Sequence, residues 1–163
     1  MDVERINPPE LGRPSGFSHA VAATASRIVF LAGQIGTGRD GQVVGGVVAQ
    51  FEQALGRLLT ALAAAGGQPG DLVSLTVYIV DLADYQAHAS QIGAVWRRLA
   101  GTEYPAMAGV GVTRLWDPEA LVEIQGIAAL SVLCKVLVMP MNPPTHLPFP
   151  LLLLAAHLHR AGL

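Results

Sequence analysis

Leu72-Val73-Ser74-Leu75-Thr76-Val77-Tyr78-Ile79-Val80 alternates with a period of two. Successive side chains of an extended chain point to opposite sides, so Val73, Leu75, Val77 and Ile79 share one face, and Ser74, Thr76 and Tyr78 the other. The first face is apolar enough to lie under helices. The second is half polar, which suits a wet cavity or a subunit interface better than a dry core. A strand with two such faces predicts a sheet covered by helices on one side only.

The flanking segments supply those helices. In residues 47–65, Val47, Phe51, Leu55, Leu58, Leu59 and Leu62 recur at three- and four-residue steps, forming one apolar stripe of a helix. Gly66-Gly67 ends it, since glycine accepts the left-handed conformation of a C-terminal cap. Asp81 or Asp84 can cap a second helix, which runs to Ala100 and stops at Gly101; Tyr85, Ile92, Val95, Trp96 and Leu99 form its buried side. Residues 25–32 contain the buried strand Ile28-Val29-Phe30-Leu31, and residues 105–112 and 120–130 are two further strands. Between them Asp40-Gly41 is a tight-turn dipeptide. The glycine-rich run around it lacks the Gly-Lys-Ser/Thr of a phosphate cradle. The predicted order is strand, turn, strand, helix, strand, helix, strand, strand, preceded by an irregular proline- and glycine-broken start over residues 6–16. Two helices on one face leave the other face in need of a partner.

Composition narrows the function classes. At 163 residues the chain fits one ordinary domain. Charged residues are only 13%, against about 25% in typical globular proteins, and hydrophobic residues reach 52%, a balance that favours self-association. A formal net charge of -2 offers no footprint for nucleic acid. Arg97-Arg98 is the only adjacent basic pair and reads as the solvated end of a helix. The single cysteine, Cys134, excludes an intrachain disulfide and a cysteine-based zinc site. The start is charged and carries no apolar signal core, and no run approaches the roughly 18 apolar residues of a membrane span. A cytoplasmic protein without a membrane partner is the expectation. Residues 1–132 form the expected domain. Residues 133–163, rich in proline and leucine, are an expected appendage; its His157 and His159 lack a third metal ligand.

Several stretches together resemble the reactive-intermediate deaminase family, called Rid or YjgF. They are Gly16-Phe17-Ser18-His19-Ala20-Val21, Val29-Phe30-Leu31-Ala32-Gly33-Gln34-Ile35-Gly36, Thr76-Val77-Tyr78 with Asp81, Tyr104-Pro105-Ala106, and Leu121-Val122-Glu123-Ile124-Gln125-Gly126-Ile127-Ala128. They run in family order over residues 6–130. The resemblance implies a chorismate-mutase-like α+β fold, with two helices packed on one face of a mixed sheet, assembled as a homotrimer with ligand clefts between subunits. It implies hydrolysis of enamines and imines of small molecules to a 2-oxo acid and ammonia, without a metal or organic cofactor. The family's acid/base glutamate corresponds to Glu123, its cleft tyrosine to Phe17, and its carboxylate-gripping arginine to Met107. Ser18, Gly33 and Gly109 complete the implied substrate-binding set.

The chemistry sets a value on these differences. Imine hydrolysis needs a polarised C=N carbon, a placed water and a group that moves protons. Glu123, flanked by Val122 and Ile124, is expected to be partly desolvated and suited to that exchange. An arginine fork gives a substrate carboxylate two charge-assisted hydrogen bonds of roughly 1.5–3 kcal/mol each. Methionine gives none and presents an apolar wall. Burying an unpaired carboxylate against it costs several kcal/mol, at least about 100-fold in affinity or rate. Arg114 lies seven residues on, on the opposite side of a regular strand, unless a bulge at Gly109 or Gly111 reverses it. His19 or an arginine of another subunit could substitute. Ser18 and His19, as sequence neighbours, cannot form a nucleophile–base pair in an extended segment. Standard 2-imino-acid deaminase activity is therefore predicted to be weak or missing. The alternative is a non-catalytic, small-ligand-binding or regulatory trimer.

Overall fold

The computed structural model describes residues 2–131; the expected C-terminal appendage lies outside the described residues. Strands β1 (Asp2–Ile6) and β2 (Ala20–Thr24) form an antiparallel pair. Strand β3 (Arg27–Ile35) leads into helix α1 (Val47–Ala64), followed by β4 (Leu72–Ile79), α2 (Leu82–Ala87), α3 (Ala89–Ala100), β5 (Ala106–Gly111) and β6 (Val122–Leu130). The main sheet has the order β3-β6-β4-β5, with β4 and β5 parallel and the other neighbours antiparallel. The fold is α+β, with the helices on one face of the sheet.

The helical periodicity of residues 47–65 works as expected: Val47, Phe51, Leu55, Leu58 and Leu62 are buried against the sheet. Complete burial of such side chains stabilises by roughly 1.5–3 kcal/mol each. Gly66, at φ 88°, and Gly67 close the helix by donating to the Ala63 and Leu62 carbonyls, a Schellman arrangement. Opposite lie Leu75, Val77 and Ile79 of β4 and Val122 and Ile124 of β6, all buried.

Four local readings are corrected. The face of β4 continues through Leu72, which is fully buried, and not Val73, which is half-buried, because the β4–β6 ladder slips between Leu72 and Ser74. The second helix is broken at His88, whose backbone leaves helical geometry while its ring bonds the Asp84 carbonyl at 2.9 Å. Its start is as expected: the Asp81 carboxylate accepts from the Asp84 amide. After the Asp40–Gly41 turn there is an isolated bridge, Thr37 to Val43, where a strand was expected. Strand β1, which precedes the expected irregular stretch and overlaps it only at Ile6, was not read from the sequence, because its alternation is too short to stand out beside the prolines that follow.

The other face of the main sheet carries no helix among the described residues. Phe30 is 78% exposed and Ile28 is 52% exposed there. Register places them beside Ile127 and Ala129 of β6.

Candidate functional site

Glu123 stands on this helix-free face. It pairs in register with Tyr78 of β4 and Ile35 of β3, whereas its neighbours Val122 and Ile124 turn into the core. Between Leu31 and Gln34 the β3 ladder bulges, so that Gly33 comes beneath the Glu123 side chain. A Cβ at Gly33 would overlap the Glu123 carboxylate oxygen. The contact joins two residues that the sequence analysis had named separately: only glycine leaves the space that the half-buried carboxyl fills. The carboxylate makes no hydrogen bond or ion pair among the described residues, so it is free to hold a water. Beside it, the Gln125 amide donates to the Tyr78 hydroxyl at 2.8 Å.

Gln50 holds this strand in place. It is 3% exposed on α1, accepts from the Leu121 amide at 2.7 Å and donates to the Glu119 carbonyl at 3.1 Å. The stripe reading of α1 missed it, because a polar residue one step from an apolar ridge looks like the solvated side. Gly36 packs directly on its backbone.

Met107 belongs to the opposite face. It pairs with Leu75, whose side chain is buried under the helices, and it packs against the core. The β4–β5 register runs without a slip from Ser74–Ala106 to Ile79–Gly111, so no bulge occurs at Gly109 or Gly111. Arg114 lies beyond the strand, where its Nε donates to the Leu115 carbonyl at 3.4 Å. A cleft of about 550 Å³ opens between β5 and α3, bordered by Phe17, Tyr85, Ser90, Arg97, Tyr104 and Met107. Gly109 lies on its wall, where an added Cβ would meet Ile79 at ordinary contact distance. At the sheet edge Phe17 and Met107 also border a smaller cleft, of about 300 Å³, with Ser74 and Thr76. Within one chain, then, Glu123 with Gly33 and Met107 with Gly109 occupy opposite faces of the sheet.

Ser18 is 5% exposed; its hydroxyl donates to the Tyr104 carbonyl at 2.7 Å and its amide to the Pro105 carbonyl at 2.9 Å. It fastens the Phe17 segment to the start of β5. The His19 ring instead bonds the Gly12 carbonyl at 3.1 Å and stacks edge-on with Phe17 at 5.1 Å, so Ser18 and His19 act separately. Three aromatic groups escaped attention as site residues. Tyr104 stacks on the buried Trp96 at 5.3 Å, and Tyr85 meets Phe51 edge-on at 6.2 Å. Burial pushes the Tyr85 hydroxyl up to about 12, so it stays a neutral donor. Tyr78 was visible on the half-polar face of its strand.

Comparison with known proteins identifies the family and the fold. The model of the family described as Endoribonuclease L-PSP matches residues 10–130. The chain is 32% identical over 112 residues to the 2-iminobutanoate/2-iminopropanoate deaminase of Capra hircus, covering 68% of this chain and 78% of that protein. It is also 32% identical over 112 residues to RutC family protein PH0854 of Pyrococcus horikoshii, covering 68% of this chain and 85% of that protein. The crystal structure of YyfB from Yersinia pestis, a Rid-family protein of unknown function, superposes with a TM-score of 0.68 at 39% identity, covering 80% of this chain and 100% of that chain.

Proposed function

This chain belongs to the Rid family, the family described as Endoribonuclease L-PSP, and on that premise we propose that it hydrolyses a small imine, enamine or related carbonyl compound, without a cofactor, at clefts between three copies of itself. The observation that carries the reading is the Glu123 carboxyl, seated over Gly33 on a sheet face that the chain's own helices leave bare. Water adds to the C=N carbon while Glu123 takes one of its protons. The same carboxyl passes that proton to nitrogen, giving the neutral carbinolamine, and then carries the carbinolamine's hydroxyl proton to nitrogen as the C–N bond breaks. A carbonyl compound and ammonia leave, and Glu123 ends in its starting state. Exposed Ile28 and Phe30, further along the same sheet face opposite Ala129 and Ile127, give a second copy an apolar surface to cover. Docking the edge carrying Phe17 and Met107 of one copy against this face of another would complete the cleft.

The goat relative is named for 2-iminobutanoate and 2-iminopropanoate. On this chain those small imino acids meet Met107, which cannot grip their carboxylate. Turnover of 2-iminopropanoate is expected to be slow, about 100-fold or more below that of a chain with arginine there. The test generates this imine enzymatically and follows ammonia release. Wild type should be slow, Met107→Arg faster, and Glu123→Gln silent in both backgrounds. Fast wild-type turnover would refute the clamp argument. The loss of the clamp also favours a second reading, a ligand-binding trimer without catalysis, and inertness of every variant would establish it. RNA cleavage forms no part of the proposal, since the chain carries 10 Lys and Arg against 12 Asp and Glu.

A further inference from the structure

The cleft between β5 and α3 contains a cation that no family motif supplies. Its wall from α3 is Ala89, Ser90, Gly93 and Arg97, at the three- and four-residue steps of one helix face. Glycine in a helix interior costs about 1 kcal/mol relative to alanine. At Gly93 the space gained is occupied: the Arg97 Nη1 lies 3.4 Å from where a Cβ would stand. The guanidinium therefore folds back along the helix, towards the cleft. Arg97 makes no hydrogen bond or ion pair among the described residues, whereas Arg98 pairs with Glu52 at 2.8 Å and Arg5 with Glu103 at 2.9 Å. Among the described residues lining the cleft none is acidic, and Arg97 is the only charged one. Apart from Ser15 and Ser90 the remaining side chains of the wall are aromatic or aliphatic, with Phe17, Tyr85, Tyr104 and Met107 around the cavity.

From this arrangement we infer that Arg97 anchors the carboxylate of a small organic acid whose apolar body lies against Phe17 and Met107. The cleft's volume, about 550 Å³, falls in the range of small-molecule sites. A guanidinium without a protein carboxylate keeps its donors for a ligand. Tyr85, neutral up to about 12, brings no competing negative charge. The selected acids are those with a branched or aromatic body, because the apolar wall rewards area that a two-carbon body does not have. The inference takes its location from the proposed cleft, but it concerns binding alone and does not require Glu123.

The probe is 4-methyl-2-oxopentanoate, a stable branched 2-oxo acid, compared with its uncharged amide by titration calorimetry on the full-length chain. Wild type should bind the acid more tightly than the amide. Arg97→Gln should weaken the acid about tenfold or more and abolish that preference, while Arg97→Lys retains part of it. Arg98→Gln, whose side chain does not line the cleft, should bind like wild type. Equal wild-type binding of acid and amide, no binding of the acid, or an equal loss in Arg98→Gln and Arg97→Gln would overturn the assignment. Thermal unfolding of the variants checks that Arg97→Gln is folded. A silent Glu123→Gln with unchanged acid binding would separate failure of hydrolysis from failure of this anchor.

Discussion

The two faces of the sheet are made of the same strands and behave as different materials. Under the helices, Leu55, Leu58, Leu75 and Ile124 are at most 1% exposed, and a missing methylene has nowhere to hide. On the other side, Phe30 is 78% exposed and Glu123 leans on a glycine. The covered face stabilises the monomer. The other face carries Glu123, the proposed proton-moving group, and an apolar surface that one chain alone leaves in water. Family chemistry is thus placed where folding of a single copy contributes least.

Substitutions on each face should separate these roles. The largest effect expected is on catalysis: Glu123→Gln should lower ammonia release by about 100-fold or more without changing the unfolding midpoint. A matching drop in stability would instead make Glu123 a structural residue. On the covered face, Leu58→Ala should destabilise by about 2–5 kcal/mol in denaturant titrations. Phe30→Ser, on the bare face, should leave the isolated chain within about 0.5 kcal/mol yet shift the solution mass towards monomer. An unchanged mass would show that Phe30 is not in the assembly.

Most of the covered face was legible in the sequence, and much of the bare one was not. The three- and four-residue steps from Val47 to Leu62 and the alternation of Leu75, Val77 and Ile79 report burial directly, because burial is what periodicity encodes. The bulge that brings Gly33 under Glu123 leaves no periodic trace: the family resemblance named both residues, but their contact appears only in the structure. Parity placed Met107 and Arg114 apart, and the unbroken β5 register agrees. Arg97 was read as the solvated end of a helix, and it does lie in the last turn of α3. What sequence could not supply was the cleft in front of it, which depends on how α3 lies against β5. Gln50 escaped for the same reason: its partners, Leu121 and Glu119, are remote in the chain.

Smaller effects sharpen the contrast further. Gln50→Ala should cost about 1–3 kcal/mol, since it leaves the Leu121 amide without its acceptor, and should slow catalysis by disturbing the start of β6. The smallest change concerns Tyr85. Its hydroxyl is pushed up to about 12 in the fold by burial, while an unfolded tyrosine ionises near 10. The proton is therefore held more tightly in the native state. The resulting stability is complete below about pH 10 and is lost as pH rises through about 12. Tyr85→Phe should flatten that alkaline decline in pH-dependent unfolding, and an identical slope would place the effect elsewhere.

Subunit mixing tests the account most directly, since it holds that the Glu123 face of one copy works against the Phe17–Met107 edge of another. Glu123→Gln and Ser90→Trp, which fills the cleft from α3, should each release no ammonia from an enzymatically generated imine that the wild type turns over. Mixed and reassembled one to one, they should recover roughly a quarter of the wild-type rate, because each interface draws one intact half from each neighbour. Mixed assemblies confirmed by mass but without ammonia release would contradict the shared cleft.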